Sequence, residues 1–172
     1  MSGAWIVRTD RPTGSSEPWV HLNRQPELAN FATYNADLSL SPDGSLLAVA
    51  ATGYPRTAQP GLARSVLYLA STERADDLRR VDAGLASPGL ARFSPDGRWL
   101  AVIGSGGLAV VHSSGGPPAS VTNSDDIGYA QDATWSADGR RLSVSNRTNR
   151  GAPWTTMFDI DPSTGAARQV PS

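Results

Sequence analysis

The tetrapeptide Ser41-Pro42-Asp43-Gly44 recurs as Ser94-Pro95-Asp96-Gly97 and, with one change, as Ser136-Ala137-Asp138-Gly139. The second and third copies begin 53 and 42 residues after the copy before them. In each copy, proline or alanine adopts the backbone angle that a tight turn needs, and aspartate can hydrogen-bond to the nearby backbone. Glycine then takes the left-handed conformation that closes the turn. The motif therefore predicts three β-hairpins.

The segments on both sides of the motif are also repeated. An apolar residue (Leu40, Phe93 or Trp135) precedes each copy, and a short apolar strand pattern follows it. Each unit continues with a third apolar segment and a fourth, more polar one. The third segments are 66–70, 108–112 and 155–160, and the fourth are 78–81, 119–122 and 167–170. Four strands in about 40–45 residues is the size of one β-propeller blade.

An apolar residue, Ser-Pro-Asp-Gly and a short apolar strand together resemble the WD40-like (PD40) repeat of TolB-type β-propellers. The same pattern is similar to blades in the propeller domains of prolyl-oligopeptidase-type peptidases. The resemblance covers about residues 36–172, in three copies at blade spacing. It implies a rigid propeller with a central channel and with loops gathered at its rim.

The N-terminal residues predict only half of a blade. Residues 5–10 have the pattern of a third strand, residues 19–22 that of a fourth, and nothing before them supplies the first two. We therefore predict an all-β fold, a β-propeller of three full four-stranded blades plus an N-terminal half blade, as a partial or open ring. Residues 1–172 form one domain, divided into a half blade with its connection and three blades: 1–35, 36–82, 83–123 and 124–172.

The composition argues against several classes of protein. The 172 residues carry a formal net charge of −1, and all 15 basic residues are arginine. A nucleic-acid-binding domain is normally strongly basic, so we expect no nucleic-acid partner. The chain has no cysteine, which excludes disulfides, thiol nucleophiles and zinc–thiolate sites. The chain contains no apolar run of about 18 residues, so the sequence predicts no membrane span.

The number of strands and the N-terminus bear on the context of the chain. About 14 strands cannot complete a propeller ring, which typically needs 4–8 four-stranded blades. We therefore expect a piece of a longer propeller or a homo-oligomer. The N-terminal residues lack the basic start and apolar core of a signal peptide. The expected compartment is the cytoplasm by default, or the periplasm if the chain is part of a TolB-like protein.

The sequence offers no recognisable catalytic constellation. The Gly-x-Ser-x-Gly motif of hydrolases is absent, and Gly104-Ser105-Gly106-Gly107 has the pattern of a turn instead. The repeated aspartates Asp43, Asp96 and Asp138 occur one per unit inside a turn motif, so they are predicted to form turns rather than an acid–base pair or a metal site. On these grounds the chain is predicted not to be an enzyme, and no metal or cofactor is expected.

One set of polar residues could bind a partner. Asp37 and Asp132 stand four residues before their turn motifs, and Asn35 and Gln131 lie close to them. Such positions are predicted to lie in the loops that enter the first strand of each blade, at the rim of the channel. Two carboxylates and two amides there could hold a cationic or polar partner. The alternative is that they cap strand ends by accepting backbone hydrogen bonds.

These observations favour a non-catalytic interaction module that resembles TolB-type propellers. It would bind a protein or peptide partner, of unknown identity, through its rim loops, which commonly carry function on a rigid scaffold. The first alternative is an accessory propeller domain of a hydrolase or peptidase whose catalytic part is absent. A further alternative is a propeller that binds a small ligand or a sugar.

Overall fold

The computed structural model describes residues 5–6, 20–25, 31–55, 63–105, 107–123, 127, 130–146 and 155–171. Within these ranges the chain forms fourteen β-strands and a 3-10 turn at Leu22–Arg24. None of the helical residues there forms a helix long and apolar enough to cross a membrane. The strands are β1 Trp5–Ile6, β2 Val20–His21, β3 Phe31–Leu40, β4 Leu46–Pro55, β5 Arg64–Ser71, β6 Leu78–Val81, β7 Pro88–Phe93, β8 Trp99–Gly104, β9 Gly107–His112, β10 Ser120–Asn123, β11 Ala130–Trp135, β12 Arg141–Asn146, β13 Thr155–Ile160 and β14 Ala167–Gln169.

Twelve of these strands build three four-stranded antiparallel sheets. The sheets are ordered β3-β4-β5-β6, β7-β8-β9-β10 and β11-β12-β13-β14, and we call them blade 1, blade 2 and blade 3. Strands β1 and β2 pair antiparallel as a separate two-stranded sheet, the half-blade. This arrangement confirms the predicted all-β propeller with three full blades and an N-terminal half blade. One detail of the prediction is wrong, because Leu22 begins the 3-10 turn instead of ending a strand.

The repeated turns form for the local reasons that the sequence indicates. The Ser41 hydroxyl donates to Asp43 Oδ1 at 2.6 Å, and the Ser45 amide donates to the same oxygen at 3.1 Å. The Leu46 amide donates to Ser41 Oγ at 2.9 Å. Gly44 closes the turn with a φ of 75°, a conformation that costs glycine little. The other two copies repeat the serine–aspartate bond at 2.6 Å, with Gly97 and Gly139 at φ 72° and 69°.

Because of the aspartates in the turns, the stability of the fold should fall as the pH is lowered. Hydrogen bonds from the Ser41 hydroxyl and the Ser45 amide lower the pKa of Asp43 from 3.8 to about 2. A lowered folded-state pKa stabilises the fold above the unfolded value, and that stabilisation is lost as the pH falls toward the folded value. We expect Asp43→Asn to lower the urea midpoint by a constant amount above about pH 4, and by less at about pH 3. A difference that stays constant or grows on acidification would contradict this account.

Apolar side chains fill the spaces between neighbouring sheets. Val20 on β2 and Leu22 in the 3-10 turn pack against the face of blade 1 that carries Val49 and Tyr68. The opposite face of blade 1 packs against blade 2 through Ala48, Ala50, Leu67, Leu69, Val81, Ala83, Ala91, Phe93, Leu100, Val102, Ala109 and Val111. Blade 2 packs against blade 3 in the same way, with Trp99, Ile103 and Phe158 among the buried residues. Each full blade therefore buries an apolar face against the sheet before it.

The face of blade 3 that points away from blade 2 is mostly polar, although Met157 is 37% exposed on it. On the second strands, the positions that face the next blade are Leu46, Ala48 and Ala50 in blade 1, and Trp99, Ala101 and Ile103 in blade 2. By the alignment of the turn motifs, their equivalents in blade 3 are Arg141, Ser143 and Ser145. Asp159 lies on the same face, where Arg141 and Arg168 contact it at 3.3 and 3.2 Å. This face of blade 3 is thus more polar than the faces that blades 1 and 2 bury against the next sheet.

Candidate functional site

The first strands of the three blades are neighbours, and an arginine connects them. Arg92, on β7 of blade 2, places its Nη1 2.6 Å from Asp37 Oδ2 on β3 of blade 1. Its Nη2 lies 2.7 Å from Asp132 Oδ1 on β11 of blade 3, and its Nε donates to that oxygen at 3.0 Å. One guanidinium therefore joins carboxylates that are far apart in the sequence. We call these three residues the Asp-Arg-Asp cluster.

Backbone groups hold the same cluster in place. Asp37 Oδ2 accepts the Ala91 amide at 3.2 Å, and Asp132 Oδ1 accepts the Ala133 amide at 2.8 Å. The indole of Trp135 donates to the Arg92 carbonyl oxygen at 2.9 Å. The side chains of Arg92 and Asp37 are 25% and 24% exposed, whereas that of Asp132 is 58% exposed. The cluster is therefore anchored on blades 1 and 2 and opens to solvent at Asp132.

The structure corrects the predicted location of the site residues. Asn35 and Asp37 lie within β3, and Gln131 and Asp132 lie within β11, so none of the four is in a loop. The prediction was wrong because both strands continue past an irregularity in their pairing, between Thr33 and Asn35 and between Ala130 and Asp132. Such a β-bulge adds an extra residue and re-aims side chains without ending the strand.

The structure brings together two of the four predicted residues. Asp37 and Asp132 share Arg92, and each also accepts a backbone amide, although from positions within strands and not at strand ends. Asn35 and Gln131 have exposed side chains, and within the described ranges no hydrogen bond joins either of them to the cluster. The roles of all four in binding a partner stay predictions.

Sequence reasoning missed Arg92 and the hydrogen bond made by Trp135. Asp37 and Asp132 stand four residues before their turn motifs, whereas Arg92 stands two residues before its motif. The repeat alignment that singled out the two aspartates therefore did not include Arg92. The available signal was a charged residue between Ala91 and Phe93, which both face the apolar interface with blade 1. A charge inside an otherwise apolar strand normally has a partner, since an unpaired charge there is costly.

The charges of the cluster leave it weakly acidic. Burial alone would lower the pKa of Arg92, but Asp37 and Asp132 outweigh it and raise that pKa above its ordinary value. The guanidinium therefore stays charged, and two carboxylates against one cation leave a net charge of −1. In the described part of the chain, no group of three or more histidine, aspartate or glutamate side chains could hold a metal ion. The cluster is suited to a cationic or hydrogen-bonding group of a partner.

Comparison with known proteins supports the fold. No family model and no curated protein matches the chain. A solved structure of a putative 6-phosphogluconolactonase from Bacteroides uniformis is similar over 80% of this chain and 40% of its own, with 21% identity and a TM-score of 0.55. Sqt1 from Saccharomyces cerevisiae matches over 82% and 36%, with 14% identity and a TM-score of 0.52. A putative TolB from Agrobacterium tumefaciens matches over 80% and 46%, with 18% identity and a TM-score of 0.45.

The chain spans less than half the length of each of these three structures. At such low identity, the similarity to the first two of these structures shows the fold alone. The β-propeller fold is therefore shown, while the finer resemblance of the repeat to TolB-type propellers stays a prediction.

The same comparison overturns the prediction that the chain is not an enzyme. That prediction rested on the absence of a serine-hydrolase motif and on the assignment of the repeated aspartates to turns. These grounds exclude particular kinds of site and not catalysis in general. The similar structure from Bacteroides uniformis is named as a putative 6-phosphogluconolactonase, so this fold is shared with a protein named as an enzyme. A propeller scaffold supports both catalysis and binding, and the fold by itself does not separate the two.

Proposed function

We propose that this chain is a propeller interaction module that binds a basic segment of a protein or peptide partner at the Asp-Arg-Asp cluster. The observation that carries the proposal is that Asp132, although paired with Arg92, keeps 58% of its side chain exposed. Only one of its oxygens, Oδ1, takes part in the bonds to Arg92 and to the Ala133 amide. A guanidinium or ammonium group of a partner could therefore reach the other oxygen without displacing Arg92.

The neighbouring amides fit a peptide better than an isolated ion. Asn35 and Gln131 are exposed, and each amide side chain offers two donors and one acceptor. Such groups can bond to the N–H and C=O of an extended peptide, while the carboxylate selects a basic side chain. Because an exposed ion pair contributes about 1 kcal/mol or less, we expect the cluster to give specificity more than affinity.

Peptide selection provides the test. We expect peptides selected from a random phage-displayed library on the immobilised chain to be enriched in arginine and lysine. Asp132→Asn keeps the shape of the side chain and removes its charge, so it should weaken those peptides about fivefold, which corresponds to about 1 kcal/mol. The matched control is Asp77→Asn, because Asp77 is an exposed aspartate paired with Arg74 in the turn between β5 and β6.

Two results would count against this function. If the selected peptides have no excess of basic residues, the carboxylates of the cluster do not select a basic partner. Peptides that bind Asp132→Asn as tightly as the unchanged chain would place the binding site elsewhere. A loss that is equal in Asp77→Asn would indicate a general effect of charge and not a site at the cluster.

A second candidate, hydrolysis of a sugar lactone, is favoured by the putative 6-phosphogluconolactonase among the similar structures. The test is acid release from 6-phosphogluconolactone, followed at constant pH with and without the chain. Release above the spontaneous rate, proportional to protein concentration, would support this candidate. Release at the spontaneous rate would remove it for these 172 residues.

A further inference from the structure

Two leucines on the first strand of blade 1 are exposed, whereas their equivalents in the other blades are buried or half-buried. Leu38 is 50% exposed and Leu40 is 57% exposed. By the alignment of the turn motifs, their equivalents in blade 2 are Ala91 and Phe93, which are 1% and 8% exposed. In blade 3, the equivalent of Leu38 is Ala133, which is 4% exposed, and the equivalent of Leu40 is Trp135, which is half-buried. We call Leu38 and Leu40 the leucine patch.

The patch lies on the same face of blade 1 that the half-blade covers. Leu38 stands opposite Val49, and Leu40 opposite Leu47, in the pairing of β3 with β4. Directly opposed residues of antiparallel strands point to the same side of the sheet. Val49 is fully buried in the cluster that includes Val20 and Leu22, next to the half-blade. Among the described residues, the half-blade thus covers part of this face and leaves Leu38 and Leu40 exposed.

The other blades show what covers such a patch. In blade 2, β7 packs against β3 and β4 of blade 1, and in blade 3, β11 packs against β7 and β8 of blade 2. In both cases the cover is the first hairpin of the preceding blade. The half-blade corresponds to the third and fourth strands of a blade, and its two strands pair only with each other among the described strands. The strands that would cover Leu38 and Leu40 are therefore a first hairpin.

We propose that the leucine patch is a docking surface for a separate β-hairpin that carries the Ser-Pro-Asp-Gly turn and completes the half-blade. Blade 1 shows the chemistry of the fitting face, because its hairpin presents small apolar residues, Ala48 and Ala50, to Ala91 and Phe93 of blade 2. The polar outer face of blade 3 lacks such a surface, so it does not fit the patch. This surface is distinct from the Asp-Arg-Asp cluster, and the proposal does not depend on the proposed function.

The absence of cysteine makes a direct test possible. Leu40→Cys introduces a single thiol, whose rate of labelling by a maleimide reports its accessibility. The probes are two synthetic peptides from this chain, residues 35–52 and residues 88–104, each containing one complete turn motif. At ten times its dissociation constant, a docked peptide should slow labelling about tenfold. The matched control is Met157→Cys on the outer face of blade 3, which is 37% exposed and should be unaffected.

A control peptide and a second variant complete the design. Gly97→Val in the 88–104 peptide places a β-branched residue at a φ of 72°, so the turn should not form and protection should be lost. Leu38→Cys repeats the measurement if Leu40→Cys does not fold. The proposal is overturned if neither peptide slows labelling of either thiol in the folded chain. It is also overturned if the thiol is protected without peptide in proportion to protein concentration, since a second copy would then be the occupant.

Discussion

Replacing Phe158 by alanine should lower the free energy of unfolding by about 3–5 kcal/mol. Phe158 is completely buried on β13 and stands opposite Leu142 in the pairing with β12. It belongs to the apolar cluster between blades 2 and 3, which also contains Trp99 and Ile103. Truncation would leave a cavity between two sheets that cannot close together without disturbing both. Urea denaturation, followed by tryptophan fluorescence, measures the loss.

The neighbouring residue provides a control for this prediction. Met157 points to the opposite, outer face of blade 3 and is 37% exposed. Met157→Ala should therefore cost less than about 1 kcal/mol, because little packing is lost at a partly solvated site. Equal losses in the two variants would contradict the assignment of the buried and outer faces of blade 3.

Replacing Arg92 by methionine should lower the free energy of unfolding by about 1–3 kcal/mol. Methionine preserves much of the aliphatic stem and removes the guanidinium that binds Asp37 and Asp132. Asp37 is 24% exposed and would keep only the Ala91 amide of the partners described here, so its charge would be poorly compensated. The loss should be smaller than for a fully buried ion pair. Asp132 is 58% exposed, so water can hydrogen-bond to its carboxylate in place of the arginine. Urea denaturation near neutral pH measures the change.

Arg74 is a suitable control for Arg92. It also pairs with an aspartate, Asp77, but within the same turn and with 79% of its side chain exposed. Arg74→Met should cost about 0–1 kcal/mol, as exposed ion pairs do. If Arg92→Met has no larger effect than Arg74→Met, the bridge does not contribute to the packing of the three blades.

The turns could be predicted from the sequence because every group that forms them is local. The serine hydroxyl, the aspartate carboxylate and the amides that they bind lie within five residues of one another. The glycine has a positive φ in all three copies, so its identity reports the backbone conformation directly. Repetition then extended this local information to the blades, since each motif marks the same two strands.

Contacts between blades were harder to predict because their partners are distant in the sequence. Gly165 closes the turn between β13 and β14, with a φ of 74°. Only the structure shows that this turn also packs on blade 2, where a Cβ at Gly165 would lie 2.6 Å from Cζ3 of Trp99. The indole of Trp99 donates to the Pro162 carbonyl oxygen of the same turn at 2.9 Å. Nothing in a local pattern distinguishes a free turn from one that a neighbouring sheet requires.

The sequence by itself determined the all-β fold, the number of blades and the turn chemistry, because these depend on groups a few residues apart and on their repetition. It also indicated Asp37 and Asp132 as candidate site residues, but it predicted that they lie in loops. Only the tertiary structure showed that both lie in strands and share Arg92, which is 55 and 40 residues away from them in the chain. The physical reason is that the packing of the blades decides which charges meet, and so decides the candidate site.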